Sequence, residues 1–171
     1  MTLQSIVARN LDPQEAAVVT VTGCRTDTDA YNVIPHRVEL RGTLRTFSEA
    51  ARRMVKRRMH EIATRGAGLM GASAELRWMP NNYPVMINGA DETGFAAQAA
   101  RDVSDRVTAE AAANTGAEDF SFMLQACAGA YIQLGNGDTA PVHHPQYDFN
   151  DEIIPFGTSY WVQLIESRMG A

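Results

Sequence analysis

Residues 37–45 read RVELRGTLR, and this stretch decides the fold of the first half of the chain. The positions of Val38, Leu40, Gly42 and Leu44 alternate with positions that are charged or carry a hydroxyl group. Because successive side chains of a β-strand point to opposite faces, this period of two predicts a half-buried strand. The residues on its solvated face are Arg37, Glu39, Arg41, Thr43 and Arg45.

The segments on both sides of this strand indicate a sheet covered by helices. They predict a helix at residues 3–10, a strand at residues 17–22, a helix from the N-cap Ser48 to Gly66 and Gly68, and a strand at residues 73–78. Both strand segments are β-branched or alternating, and the long helix carries an apolar stripe. This order fits one antiparallel sheet with helices on one face.

The second half of the chain predicts several helices and a single strand. The helices are expected at residues 91–103, at residues 118–127 and around Pro155, and the strand at residues 130–134. In the last helix Trp161, Leu164 and Ile165 are expected to point inward. A lone strand cannot form a sheet, so this half is interpreted as part of a domain whose other strands lie outside the chain.

Composition excludes several classes of protein. The chain has 171 residues, of which 45% are hydrophobic and 20% charged, as is typical of a soluble globular protein. No apolar run reaches the roughly 18 residues that a membrane span needs, and the N-terminus does not resemble a signal peptide. A net charge of −5 argues against a nucleic-acid binder. The two cysteines, Cys24 and Cys127, form no CxxC motif, which favours a reduced, cytoplasmic protein.

The loop at residues 142–151, VHHPQYDFND, is the strongest candidate for a chemical function, because two histidines and two aspartates lie in it. Histidine is the commonest metal ligand, so His143 and His144 indicate either a metal site or an ordinary solvated pair. A complete zinc site needs three or four protein ligands, and this loop offers no clear second and third. Glu118 and Asp119 are a second candidate, either as a general base or metal ligand, or as charges at a helix N-terminus.

Three weaker signals have an ordinary structural explanation beside the functional one. Arg45 carries a planar guanidinium suited to a carboxylate, but it could equally be a surface arginine. Asn32 is as weak a candidate for a functional residue as Arg45. The basic run at residues 52–58 favours a solvated helix face over nucleic-acid binding, because no aromatic residues are interleaved with it.

Several segments together resemble one family of enzymes. They are LQSIVARN at 3–10, NVIP at 32–35, RGTLRTF at 41–47, GAEDF at 116–120, LGNG at 134–137, and the loop at 143–151 followed by SYW at 159–161. In this order they resemble the C-terminal part of the co-catalytic metal-dependent amidohydrolases. That group comprises N-acyl-amino-acid, hippurate and indole-acetyl-amino-acid hydrolases, which are relatives of the zinc aminoacylases.

The resemblance implies an α+β fold in two parts. Residues 1–88 are expected to be a ferredoxin-like lid or dimerisation domain without its first strand. Residues 89–171 are expected to be the end of the α/β catalytic domain. The lid of such enzymes implies a homodimer.

The resemblance also assigns roles to single residues. His143 matches the last ligand of a centre holding two divalent ions (zinc, manganese or cobalt), whereas His144 does not match a ligand. Asn32 and Arg45 match lid residues that hold the substrate carboxylate. Glu118 matches a neighbour of the metal centre. The other ligands and the general base, a glutamate, are expected upstream of residue 1.

The expected activity is hydrolysis of the amide bond of N-acyl amino acids by a metal-activated water. Because one imidazole cannot hold a pair of metal ions, this chain is expected to be inactive by itself. The alternative is a non-catalytic dimerisation or binding module. The expected partners are a small N-acyl amino acid and a second copy of the chain, with no nucleic acid and no membrane.

Overall fold

The computed structural model describes residues 2–80 and 82–169, which form a mixed α/β fold. The elements are α1 (Gln4–Arg9), β1 (Ala17–Thr26), β2 (Val38–Thr46), α2 (Glu49–Leu69), α3 (Ala90–Val103), α4 (Phe120–Ala126) and α5 (Ile154–Met169), which follows a 3-10 turn at Asp151–Ile153. The chain divides into two compact units, residues 1–85 with 113–117, and residues 86–112 with 118–171. Within the described ranges, every helix is too short or too polar to traverse a bilayer.

The strands β1 and β2 form an antiparallel hairpin, as the alternation at 37–45 predicts. Val19 pairs with Leu44, and the register shifts once, between Val21 and Gly23. Gly42 lies opposite Val21, and a Cβ added there would collide with the carbonyl oxygen of the neighbouring strand at Thr20. Glycine at this position therefore allows the close approach of the two strands.

The core of the first unit lies on one face of this hairpin. Ile6 of α1, Val19 of β1 and Val55 of α2 are buried together, and Leu44 packs against them. The outer half of the same face is uncovered, since Leu40 is 58% exposed. The predicted burial of the apolar face is therefore correct only near Leu44, where the buried residues Ile6 of α1 and Val55 of α2 form the core.

Helix α2 begins as predicted and ends later than predicted. The Ser48 hydroxyl accepts a hydrogen bond from the Ala51 backbone N–H at 3.0 Å, which confirms the N-cap. The expectation that Gly66 and Gly68 end the helix is wrong, because α2 continues to Leu69. The left-handed residue is Gly71, with φ +70°, and the bonds Gly71 N–H to Gly68 O and Ala72 N–H to Ala67 O complete a Schellman motif.

Two predicted strands are absent from the described residues. Residues 73–78 and 130–134 form no strand, and the sheet in the described part of the chain consists of β1 and β2. A β-strand requires backbone hydrogen bonds to a neighbouring strand. Alternating side chains cannot create that neighbouring strand. Around residue 131 a side chain takes that place: the Asn88 amide bonds to both the N–H and the C=O of Tyr131, at 2.9 and 3.0 Å.

The core of the second unit joins α3 and α5. Ala96, Ala99 and Tyr160 are buried there, and Leu164 packs against them. The prediction that Trp161 and Ile165 point inward is wrong, since they are 57% and 54% exposed. Residues 160 and 164 share one helix face, whereas position 161 is turned about 100° away from it.

A cluster of polar contacts holds residues 82–85 against the first turn of α2. The Glu49 carboxylate accepts hydrogen bonds from the Val85 backbone N–H at 3.0 Å and from the Arg52 guanidinium at 3.1 Å. Arg52 also donates to the backbone and side-chain oxygens of Asn82. The bond from Val85, with a further contribution from Arg52, lowers the pKa of Glu49 below its ordinary value.

Glu49→Gln is therefore expected to destabilise the first unit at neutral pH by roughly 0.5–1 kcal/mol, a modest value because the carboxylate is partly screened by solvent. A carboxylate with a lowered pKa stabilises the fold above its unfolded-state pKa, and this contribution disappears as the pH falls through the folded-state pKa. The Tm difference between wild type and variant should therefore shrink as the pH falls below the unfolded-state pKa of about 4.3, and vanish once the pH is below the lowered folded-state pKa. Thermal unfolding followed by circular dichroism at several pH values measures it.

Glu75→Gln is the matched control for this prediction. The pKa of Glu75 is also lowered, by its hydrogen bond with Arg77, but that pair is exposed on the surface. Its removal should change Tm little at any pH. Parallel pH profiles of Tm for wild type and Glu49→Gln would contradict the role assigned to Glu49.

Candidate functional site

His143 lies in an exposed loop of the second unit and has an unusual backbone conformation. It is the one non-glycine residue with a positive φ, +70°, among the described residues. The His144 N–H bonds to the Pro141 carbonyl at 3.0 Å, so His143 occupies the third position of a turn, where a positive φ normally selects glycine. A side chain in this conformation costs about 1–2 kcal/mol. Retention of such strain is typical of functional positions.

The two histidines of this loop have different surroundings. His144 helps to fold the loop, because its Nδ1 accepts a hydrogen bond from the Gln146 N–H at 3.1 Å and its carbonyl accepts one from the Tyr147 N–H at 2.9 Å. The His143 imidazole makes no hydrogen bond within the described ranges. Of the two, His143 is therefore the one whose ring nitrogens are both open to a ligand.

The base of this loop is closed by Asn136, which sequence reasoning missed. Its amide donates to the Asp148 carbonyl at 2.7 Å and accepts from the Asn150 N–H at 2.8 Å. The Thr139 hydroxyl donates to the same Asp148 carbonyl at 3.3 Å. The available signal was the LGNG segment at 134–137, whose asparagine was read only as part of a turn.

Glu118 precedes α4, and its backbone is tied to the start of that helix. Its carbonyl oxygen accepts a hydrogen bond from the hydroxyl of Ser121, a fully buried residue, at 2.6 Å. Burial, followed by the nearby negative charge of Glu118, raises the pKa of Tyr131 above its ordinary value, so the phenol stays protonated at neutral pH.

Tyr131 is a second residue that sequence reasoning missed. Its ring lies 5.6 Å from that of Phe120, centroid to centroid, in the segment that contains Glu118. The charge-pair explanation of Glu118 and Asp119 receives partial support, because Asp119 occupies the N-cap of α4 but makes no side-chain capping bond. The sequence could not indicate the contact with Tyr131, since it joins residues far apart in the chain.

Asn32 and Arg45 lie in the first unit. Asn32 is exposed, in a turn closed by the bond from the Val33 N–H to the Ala30 carbonyl at 3.2 Å. Arg45 is half-buried on β2, opposite Val18. It points away from the helices, because its neighbour Leu44 faces the core. No hydrogen bond joins the two side chains, and the Arg45 guanidinium forms no ion pair with any described residue.

The basic run on α2 is engaged in contacts within the first unit. Arg52 binds Glu49 and Asn82, and Arg58 binds Glu61. Lys56 lies over the Trp78 ring, 4.5 Å from its centroid. These contacts support the structural explanation of the run over nucleic-acid binding.

A metal site can be judged from the donor atoms present. No group of three or more His, Cys, Asp or Glu side chains that could hold a metal occurs within residues 2–80 and 82–169. His143 fits the role of one ligand, because its imidazole is exposed and unpaired. The described residues do not supply the three or more ligands that a metal ion requires.

Comparisons with known proteins agree with the resemblance. The family described as peptidase family M20/M25/M40 matches residues 5–167. N-acetylcysteine deacetylase of Bacillus subtilis is 33% identical over 162 residues, which are 95% of this chain and 42% of that protein. Hippurate hydrolase of Campylobacter jejuni is 29% identical over 95% of this chain and 42% of that protein. The chain thus spans less than half the length of these relatives.

Two solved structures resemble the fold. The Bacillus subtilis YXEP protein, a dinuclear metal-binding peptidase of the M20 family, aligns with a TM-score of 0.74 and 33% identity over 86% of this chain and 41% of that one. A protein from methicillin-resistant Staphylococcus aureus aligns with a TM-score of 0.79 over 96% of this chain and 42% of that one. At 22% identity, the second match shows the fold alone.

Proposed function

Because the chain belongs to peptidase family M20/M25/M40, we propose that it takes part in metal-dependent hydrolysis of the amide bond of N-acyl amino acids. N-acetylcysteine and hippurate, the compounds named for two relatives, are both acylated amino acids. One observation carries the proposal. The backbone of His143 is strained by its positive φ, and its exposed imidazole makes no hydrogen bond with a described residue.

His143 would be one ligand of a centre of two divalent ions, zinc, manganese or cobalt. Such ions polarise an amide carbonyl and lower the pKa of bound water. The further ligands and the glutamate that acts as general base would belong to the part of the relatives' length that this chain does not span. Without those residues the chain is expected to be inactive. Glu118, whose carbonyl is bonded to the buried Ser121 hydroxyl, would lie beside the centre.

Asn32 and Arg45 would bind the carboxylate of the substrate. The guanidinium of Arg45 offers two parallel N–H donors that match the two oxygens of a carboxylate. Because it is half-buried and forms no ion pair with a described residue, an incoming carboxylate displaces no protein anion. The Asn32 amide is exposed and can add a further hydrogen bond.

The first part of the chain, residues 1–88, would be a ferredoxin-like lid, and residues 89–171 the end of the catalytic domain. The border between the two compact units, at residues 85 and 86, supports this division. A homodimer through the lid is supported by the uncovered apolar face of the hairpin at Val38 and Leu40. A cytoplasmic location stays a prediction, supported by two free, exposed cysteines.

The proposal is tested with Arg45→Met in the metal-loaded enzyme, which here means this chain combined with the part of its relatives' length that it does not span, because the chain alone is expected to be inactive. KM for an N-acyl amino acid should rise about 100-fold, because a bidentate bond to a charged group is lost. The KM for the corresponding neutral N-acyl amino acid amide should change little. Steady-state kinetics with both substrates measures this discrimination.

Arg41→Met is the matched control, since Arg41 projects from the same face of β2 but is paired with Glu39. Its KM values should equal those of the wild type. If Arg45→Met hydrolyses both substrates as the wild type does, the carboxylate site lies elsewhere. If no acylated amino acid is hydrolysed under any metal condition once the missing part of the family's length is supplied, the catalytic proposal fails.

One observation favours the alternative, a dimerisation module without catalysis. The apolar half of the hairpin face, at Val38 and Leu40, is uncovered. The alternative predicts a stable dimer that retains no metal when residues absent from this chain are supplied. Size-exclusion chromatography with metal analysis distinguishes the two functions.

A further inference from the structure

Two asparagine side chains in the second unit stand where the backbone of a neighbouring strand would stand. Asn88 bonds to the N–H and the C=O of Tyr131. Asn136 bonds in the same way to the C=O of Asp148 and the N–H of Asn150. A carboxamide can do this because, like a peptide group, it presents one acceptor and at least one donor.

Asn136 joins the two ends of the loop that contains His143. Its partners Asp148 and Asn150 follow it by 12 and 14 residues, and the loop runs between them. On the far side, the Asn150 side chain accepts the Glu152 N–H at 3.0 Å and thereby starts the turn before α5. The amide of Asn136 thus ties the loop to the start of the last helix.

We propose that Asn136 is a positioning residue that closes the base of the loop at 137–149 and thereby directs the His143 imidazole. The proposal rests on the proposed function, in which His143 is a metal ligand. The hydrogen bonds that Asn136 makes across the base of the loop, to Asp148 and Asn150, support the proposal. The turns at Pro141–His144 and His144–Tyr147 shape the tip, and Asn136 holds the base.

The strain at His143 explains why the base matters. A left-handed non-glycine residue keeps its conformation only when its surroundings hold it there. With the base open, the backbone at residue 143 can relax to a negative φ, which swings the imidazole to a different direction. The effect of Asn136 on His143 is therefore one of orientation.

This role can be separated from a contribution to overall stability. No residue of the loop at 137–149 is buried. The loop adds nothing to the core formed by Ala96, Ala99 and Tyr160. Opening its base should therefore change loop order much more than it changes Tm.

The test compares Asn136→Ala with wild type in the full chain by NMR. The Asn150 amide should exchange its hydrogen at least 10-fold faster, and the His143 ring signals should broaden or double, while Tm changes little. Asn136→Asp keeps the acceptor for Asn150 and loses the donor to Asp148, so it should move the His143 signals with a smaller change in exchange. Asn136→Asp also allows the proposal to be tested if Asn136→Ala folds poorly.

Asn114→Ala is the matched control, because Asn114 makes only a local bond to the Gly116 N–H at 2.8 Å in an exposed segment. It should leave all these signals unchanged. Unchanged exchange at Asn150 and unchanged His143 signals in both Asn136 variants would overturn the proposal. A fall in Tm without any change at His143 would reduce Asn136 to a structural role and overturn it as well.

Kinetics of the metal-loaded enzyme separates this proposal from the proposed function. Asn136→Ala should lower kcat about 10- to 100-fold with KM nearly unchanged, because a misdirected ligand weakens the centre and leaves the carboxylate site intact. An equal change in kcat and KM would contradict positioning. If the wild-type chain hydrolyses nothing even when the missing part is supplied, while the NMR changes occur, the proposed function fails and the positioning of His143 by Asn136 stands.

Discussion

Replacing His143 with glycine is expected to abolish amide hydrolysis by the metal-loaded enzyme while the chain folds as stably as before. Loss of a ligand should lower kcat/KM about 1000-fold or more, because the centre binds its metal ions more weakly and no longer holds them in the correct coordination geometry. Stability should stay within about 1 kcal/mol of wild type and tend to rise. Glycine removes the penalty of a side chain at φ +70°, which outweighs its higher chain entropy in the unfolded state.

The measurement pairs hydrolysis of an N-acyl amino acid with urea unfolding and metal content. His144→Gly is the control, because the His144 ring bonds to the backbone of its own loop at Gln146. That variant should lose a little stability and keep most activity. If His143→Gly hydrolyses substrate at the wild-type rate with its metals bound, His143 is not a ligand.

Gly42→Ala is expected to produce the largest loss of stability of any glycine-to-alanine change in the described part of the first unit. The new Cβ would meet the Thr20 carbonyl oxygen, with the Val21 Cα a further 3.4 Å contact. Backbone atoms in a hairpin cannot move aside without breaking the ladder between β1 and β2. A penalty of about 2–4 kcal/mol follows, transmitted to the adjoining core pair Val19 and Leu44.

Urea unfolding with far-UV circular dichroism measures this penalty. Gly23→Ala is the matched control on the same hairpin, because a Cβ at Gly23 meets only the Arg41 side chain, at 3.8 Å. Its cost should stay near 0.5–1 kcal/mol or less. Similar midpoints for the two variants would contradict the close approach of the strands at Gly42.

Fold prediction succeeded where the pattern was local. The period of two at 38–44 predicted β2, and Ser48 predicted the start of α2. It failed at residues 73–78, where the same alternation occurs without a neighbouring strand to bond to. The end of α2 was missed because Gly66 and Gly68 adopt helical angles, and only Gly71 takes the left-handed conformation that terminates the helix.

Prediction of the candidate site was similarly partial. His143, Glu118, Asn32 and Arg45 came from matching short segments to a family, and their proposed roles await the experiments above. The LGNG segment drew attention to Asn136 only as part of a turn, and its role could not be predicted because its partners lie 12 and 14 residues further along the chain.

The order of residues alone determined the secondary structure at the hairpin and the helix start, and the family to which the chain belongs. These depend on neighbours a few positions away, where the geometry of one chain suffices. The tertiary structure alone decided that Tyr160 is buried while Trp161 is exposed, and that the His143 ring stands unpaired while His144 is engaged. Such outcomes depend on which groups from other parts of the chain lie within hydrogen-bonding or packing distance in the fold. A local sequence pattern does not contain that information.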